Sequence, residues 1–193
     1  MSLMETVDDL KKDLKLNGNA DYSSLETMVE GESKYVRDLR INLKNAITSE
    51  HISKKEAYLI ALAIAVNEKN KPLVKSFTEL AKENEATDAE IGEMHALTSL
   101  LSVNNVFYRF RHFAGKESYN QMPAKIKMNI MMNPVTGKEF FELTSLVVSA
   151  VNGCEQCVKS HEASVLAQGA TEERIFDAIR LGAIVRGLSQ VLN

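Results

Sequence analysis

The stretch Asn152-Gly153-Cys154-Glu155-Gln156-Cys157-Val158-Lys159-Ser160-His161 decides both the fold and the chemistry of this chain. It contains both cysteines of the 193 residues and, four positions beyond the second, one of the four histidines. Asn-Gly is a strong turn signal. Before it, Leu143, Leu146, Val147 and Ala150 recur at helical spacing, which predicts a helix over 138–151. After it, positions 154, 157 and 161 fall on one face of a second helix. The stretch therefore reads as the corner of an antiparallel helix pair. A thioredoxin-type fold needs strands around its C-x-x-C pair, and no strand pattern flanks this one.

Outward from this corner the helical pattern runs through almost the whole chain. Prolines stand only at 72, 123 and 134, and no segment alternates apolar and polar residues long enough for a sheet. Ser53-Lys54-Lys55-Glu56 and Thr87-Asp88-Ala89-Glu90 fit the capping box, in which hydroxyl and carboxylate satisfy each other's backbone donors. Thr171-Glu172-Glu173 is a plainer N-cap with acids in the first turn, and Gly169 marks the end of the helix before it. Around Pro123 and Pro134 the pattern loosens, so residues 115–137 read as a linker with one short helix. The expectation is an all-α helical bundle, residues 1–193 forming one domain.

A weak internal repeat runs through it, with halves at about 54–110 and 138–193. Ala65-Val66-Asn67 recurs as Ala150-Val151-Asn152 at an offset of 85, and Val74-Lys75-Ser76 as Val158-Lys159-Ser160 at 84. Ala86-Thr87-Asp88 recurs, nearly, as Ala170-Thr171-Glu172, again at 84. Lys69 and Pro72 then stand near the cysteine positions, which makes the first half a scaffold copy without the chemistry.

Composition narrows the function. Hydrophobic residues make up 45% and charged residues 25%, an ordinary globular balance, and the net charge of −3 gives no field for nucleic acid or an anionic membrane surface. The basic and aromatic run Tyr108-Arg109-Phe110-Arg111-His112 reads as packing or a subunit contact in an acidic chain. The longest purely apolar run, Leu59 to Val66, is eight residues, where a membrane span needs about 20. Acids near the start leave no signal-peptide pattern, so a cytoplasmic location is expected. In a reducing compartment a lone C-x-x-C pair points to redox or metal chemistry rather than to a structural staple.

If the chain reverses at Asn152-Gly153, Glu142 and His161 come level. They lie ten residues before and nine residues after Asn152, about 15 Å and 13.5 Å along their helices. Each part then has a chemical reason. Thiolate, not thiol, attacks disulfides, and a neighbouring base or a helix N-terminus lowers a thiol's pKa. His161, one turn from Cys157, is positioned as its base, with Glu142 to hold and polarise the imidazole. Cys154, in the first turn of its helix, gains from the dipole. The dipole favours Cys154 as the first thiol to react, and the histidine favours Cys157. The set Glu142, Cys154, Cys157 and His161 also satisfies the count for a zinc site, although all but Glu142 crowd one short helix and there is no second cysteine pair. Covalent haem is excluded, because C-x-x-C-H needs a histidine where Val158 stands.

These residues resemble the alkyl hydroperoxide reductase D (AhpD) family, within the all-helical carboxymuconolactone decarboxylase-like group. The likeness lies in Phe141-Glu142-Leu143, Val148-Ser149-Ala150-Val151-Asn152-Gly153-Cys154, Cys157, His161-Glu162 and Ala183-Ile184-Val185, with Asn104-Asn105-Val106-Phe107-Tyr108-Arg109, Met128-Asn129 and Asn133-Pro134 upstream. It covers roughly residue 50 to the end. The resemblance implies a homotrimer that carries electrons from dihydrolipoamide, on the lipoyl domain of a dehydrogenase complex, to the peroxiredoxin AhpC. It also implies weak direct reduction of hydroperoxides. No tightly bound cofactor or metal is expected. By the same resemblance Cys157 is the attacking thiol, able to pass through a sulfenic acid, and Cys154 closes the disulfide, with His161 and Glu142 as the relay. Many members have histidine just before the second cysteine, where this chain has Gln156, so any relay role of that histidine is lost. The wider group also suggests a decarboxylase of a small lactone, but that chemistry needs no thiol pair.

Overall fold

Two helices buried on all sides along most of their length are the frame on which everything else rests. The computed structural model describes residues 2–16 and 20–192. In order, its helices are α1 (Leu3–Asp13), α2 (Ser23–Glu30), α3 (Tyr35–Ile47), α4 (Lys54–Asn67), α5 (Lys71–Glu83), α6 (Asp88–Ala114), α7 (Glu117–Gln121), α8 (Lys138–Val151), α9 (Glu155–Ala167) and α10 (Glu172–Ser189). A single 3₁₀ turn, Asn129–Met131, lies between α7 and α8. No strand occurs among the described residues, so the chain is all-α as its periodicity indicates.

In α4 the run Leu59–Ala65 is buried on every side, and in α8 so is Phe140–Ser149. A helix buried on every side belongs in the middle of a bundle. Accordingly α8 packs on α4, α6, α9 and α10, and α4 on α3, α5, α6, α8 and α10. Each fully buried Leu, Ile or Phe along this axis contributes about 1.5–3 kcal/mol. No helix of the described residues is long and apolar enough to cross a membrane.

Local signals set the helix ends. Ser53 and Thr87 accept from the backbone of Glu56 and Glu90, which reach back to the cap N–H at 2.9 and 2.7 Å, completing both capping boxes. Ser2 and Glu5 close a third box on α1. Gly169 has φ +95° and follows the last turn of α9. The loose segment 115–137 holds α7 and also the 3₁₀ turn, one element more than its pattern suggested. It is anchored from above by Glu93 of α6, a buried carboxylate that accepts from the Val135 and Thr136 backbone at 2.6 and 2.8 Å.

The helix boundaries correct the register of the repeat. Lys54, Lys71 and Asp88 open α4, α5 and α6, and Lys138, Glu155 and Glu172 open α8, α9 and α10, each 84 residues later. The match of Ala65-Val66-Asn67 at 85 is one residue out of this register. The counterparts of Cys154 and Cys157 are therefore Asn70 and Leu73, not Lys69 and Pro72. Asn70 caps α5 as Cys154 caps α9.

Candidate functional site

The corner between α8 and α9 is built as its sequence requires. Asn152 caps α8, Gly153 takes φ +67°, and the Cys154 N–H donates back to the Ser149 carbonyl at 3.1 Å. A left-handed residue at this point favours glycine, which explains the Asn-Gly pair. Cys154 then stands one residue outside the helix, as its N-cap with φ −97° and ψ 89°, and not in the first turn. Only Cys157 and His161 are helical neighbours. Because Cys154 has left the helical path, its sulfur bends over the start of α9 and bonds to that of Cys157, with the two Cα atoms 5.3 Å apart. No side-chain hydrogen bond caps α9, so the positive end of its dipole is left to the two sulfurs.

Glu142 and His161 meet across the helix pair. The His161 Nδ1 lies 2.7 Å from the Glu142 Oε2, both residues being buried. The other carboxylate oxygen takes an ion pair from Lys138 at 2.9 Å, one turn earlier on α8. Burial pushes the Glu142 carboxyl up, but the hydrogen bonds and charges of His161 and Lys138 outweigh it and hold the group below its ordinary value. The carboxylate is thus ionised and committed. It fixes the imidazole through Nδ1 and leaves Nε2 as the nitrogen available to a thiol.

A cleft of about 300 Å³ opens over this arrangement, lined by Cys157, Ser160, His161 and Gln156 of α9, Asn104 and Tyr108 of α6, and Met128 and Met131 of the linker. Cys157 is 6% exposed and lines it, whereas Cys154 is 0% exposed and does not. An incoming reagent meets the sulfur of Cys157 first. Lys138 also donates to the Met131 carbonyl at 2.8 Å, which ties the linker wall to the same carboxylate that holds His161.

All four residues singled out from the sequence are therefore in one place. Lys138 was missed there, although an i, i+4 Lys–Glu pair is a readable signal. Asn104 was quoted only for its resemblance. It is buried, its Nδ2 donates to the Met128 Sδ at 3.2 Å, and its Oδ1 has no partner among the described residues. Nothing local distinguishes such an amide before the helices are packed.

The carboxymuconolactone decarboxylase family model matches residues 120–193, which include α8, α9 and α10. The alkyl hydroperoxide reductase AhpD of Anaeromyxobacter dehalogenans (strain 2CP-C) is 35% identical over 171 residues, 89% of this chain and 91% of the relative. Its namesake in Rhodopseudomonas palustris (strain BisB18) is 34% identical over 86% of this chain and 91% of the relative. The one in Coxiella burnetii (strain Dugway 5J108-111) is 34% identical over 86% and 96%. With such identity sustained over most of both chains, this chain belongs to the alkyl hydroperoxide reductase AhpD family.

Proposed function

We propose that this protein is a dithiol–disulfide oxidoreductase of antioxidant defence in the cytoplasm, with Cys154, Cys157, His161 and Glu142 as its working residues. The observation that carries this reading is Cys157 at the floor of a cleft, bonded to a buried Cys154 and one turn from a histidine locked by a buried carboxylate. One thiolate of dihydrolipoamide attacks the Cys157 sulfur and expels Cys154 as thiolate. The second lipoyl thiol then attacks the mixed disulfide, leaving as lipoamide disulfide and freeing the Cys157 thiolate. Two electrons have entered, and His161 Nε2 with the open N-terminus of α9 stabilises the anionic sulfurs. The Cys157 thiolate next attacks the disulfide of a peroxiredoxin of the AhpC type. Cys154 resolves that mixed disulfide and closes the intrachain bond again.

The same thiolate supports weak direct peroxidase activity. Attack on the terminal oxygen of a hydroperoxide gives an alcohol and Cys157 sulfenic acid, and Cys154 then condenses with it, releasing water. The narrow apolar cleft suits a flexible lipoyl arm better than a folded domain. One domain spanning 1–193 and a homotrimeric assembly complete the proposal. Val103, Val106, Phe110 and Phe113 recur at helical spacing on the outer face of α6 and are each half or more exposed, an apolar stripe that another copy of the chain would cover.

A coupled assay tests the reading. Hydroperoxide consumption should depend on dihydrolipoamide and rise steeply when a cognate peroxiredoxin is added. Mild reduction should expose two titratable thiols per chain. Dihydrolipoamide that leaves the thiol count unchanged would sink the proposal.

A further inference from the structure

A second cleft, of about 230 Å³, lies between α1, α3, α4 and α5 and shares no lining residue with the one over Cys157. The 84-residue register relates the two. Within the repeated helices, Phe77 of α5 lines the second cleft as its counterpart His161 of α9 lines the thiol cleft. Lys54 and Tyr58, also on its wall, stand where Lys138 and Glu142 stand in the other half. Thus α5 walls a reagent-sized space as its counterpart α9 does, closed here by α1 and α3 in place of α6 and the linker. Every reactive group has been replaced: His161 by Phe77, Glu142 by Tyr58, and Cys157 by the fully buried Leu73. Neither thiol exchange nor a proton relay is available, and what is left is binding.

The chemistry of the lining selects the ligand. Leu10, Leu14, Leu43, Phe77 and Leu80 make a buried apolar floor. Three cations, Arg40, Lys44 and Lys54, stand at the wall against one carboxylate, Asp13. Arg40 is already engaged by Asp9 and Asp13 at 2.7 and 2.8 Å. Lys44 and Lys54 are exposed and have no ion-pair partner among the described residues. Two unpaired ammonium groups over an apolar floor fit an amphipathic anion. Tyr58 adds a donor: burial, and after it the charges of Asp13 and Glu83, raise its pKa above the ordinary 10, so the hydroxyl keeps its proton at neutral pH. The space is too small for a helix of a partner protein. We propose that this cleft binds a medium-chain acyl carboxylate, its chain on the floor against Phe77 and its carboxylate between Lys44 and Lys54.

Octanoate titrated calorimetrically into the full chain is the direct test, and its readout is independent of any redox activity. Saturable binding at one site per chain is expected. Octylammonium, with the same tail and the opposite charge, should bind at least about tenfold more weakly. The Lys44→Glu/Lys54→Glu double variant should weaken octanoate by about tenfold or more while keeping the wild-type melting temperature. Should that variant melt early, Lys44→Gln/Lys54→Gln carries the same comparison. Cys154→Ser/Cys157→Ser should bind octanoate as the wild type does, and Leu43→Trp, which fills the cleft, should abolish binding. No saturation, affinity unmoved by the lysine changes, or competition by a reagent tethered to Cys157 would each overturn the proposal, the last by placing the ligand in the thiol cleft.

Discussion

Asn67 and Asn152 bond each other through both carboxamides, the Asn67 Nδ2 to the Asn152 Oδ1 at 2.9 Å and the Asn152 Nδ2 to the Asn67 Oδ1 at 3.1 Å. Asn67 ends α4 and Asn152 caps α8, so the pair ties the corner before Cys154 to the central helix of the other half. From α6, Asn105 accepts a bond from the Asn152 side chain at 2.9 Å and donates to the Ser149 hydroxyl at 3.0 Å. Arg109 takes the Asn152 carbonyl at 2.6 Å. The turn that presents the sulfurs is thereby held from α4 and α6 by polar contacts that no solvent has to supply.

This network gives the first prediction. Asn152→Ala strands the carboxamide oxygens of Asn67 and Asn105 together, whereas Asn67→Ala strands only that of Asn152. Losses of about 2–3 and about 1 kcal/mol are expected in urea unfolding, since each orphaned, partly buried group adds its own desolvation penalty. A double-mutant cycle between the two should give a coupling energy well above zero. Additive effects would mean that the reciprocal pair contributes nothing of its own.

The Glu142–His161 pair gives the second. His161→Ala and Glu142→Ala should each slow thiol transfer by about 10²–10⁴-fold at neutral pH while the fold survives. The pair also has a stability signature. A carboxyl held below its ordinary value of 4.5 stabilises the folded state above that pH, and the contribution is lost as pH falls through the lower, folded-state value. The difference in urea midpoint between wild type and Glu142→Gln should be full near about pH 7 and close progressively in acid. A gap that stays constant into acid would show that the ion pairs to His161 and Lys138 do not set it.

Much of this site was legible because its signals are local. Asn152-Gly153 fixes a reversal by turn chemistry, and a constant rise per residue then brings Glu142 level with His161 without any knowledge of the rest of the chain. The position of Cys154 was off by one residue, since helix ends are set by which backbone carbonyl the corner captures, here Ser149. The far wall was not legible at all. Asn104, Tyr108, Met128 and Met131 reach the cleft only through the packing of α6 and a linker without periodicity. Glu93 likewise becomes a buried clamp on Val135 and Thr136 only once the linker packs on α6.

Gly182 gives a prediction on packing. A Cβ built there would lie 2.3 Å from the Val147 Cγ1, so α10 approaches α8 closely only because position 182 has no side chain. Gly182→Ala should destabilise the protein by about 1–3 kcal/mol despite alanine's better helix propensity. A concurrent Val147→Ala should recover part of that loss. Thermal or urea unfolding that shows Gly182→Ala more stable than wild type would refute the close approach.

The outer stripe of α6 gives a prediction on assembly. Light scattering at micromolar concentration should report an oligomer, a trimer by the family reading. Val106→Lys/Phe110→Glu should dissociate it into chains of 21.5 kDa with the helix content unchanged, because Val106 is 60% and Phe110 53% exposed within one chain. A wild-type monomer would leave that stripe without a partner and remove the assembly from the proposed function.

Asn104 carries the last prediction, in which stability and activity should move in opposite directions. Its Oδ1 is buried without a hydrogen-bond donor among the described residues, and its Nδ2 has only the Met128 thioether, a weak acceptor. A buried unsatisfied oxygen costs about 1–3 kcal/mol, so Asn104→Leu, which keeps the branching of the side chain without its polar atoms, should leave the protein as stable as wild type or more so. Asn104 also lines the cleft over Cys157, where the O–H of a bound hydroperoxide would be the donor its oxygen lacks. Losing it should therefore raise KM for hydroperoxide by about tenfold, the range of one neutral hydrogen bond, with kcat nearly unchanged. Asn104→Asp keeps the acceptor but adds charge beside a reacting thiolate, and should depress kcat instead. If Asn104→Leu leaves KM for hydroperoxide at its wild-type value, the orphan oxygen is a flaw of packing and not a contact to the substrate.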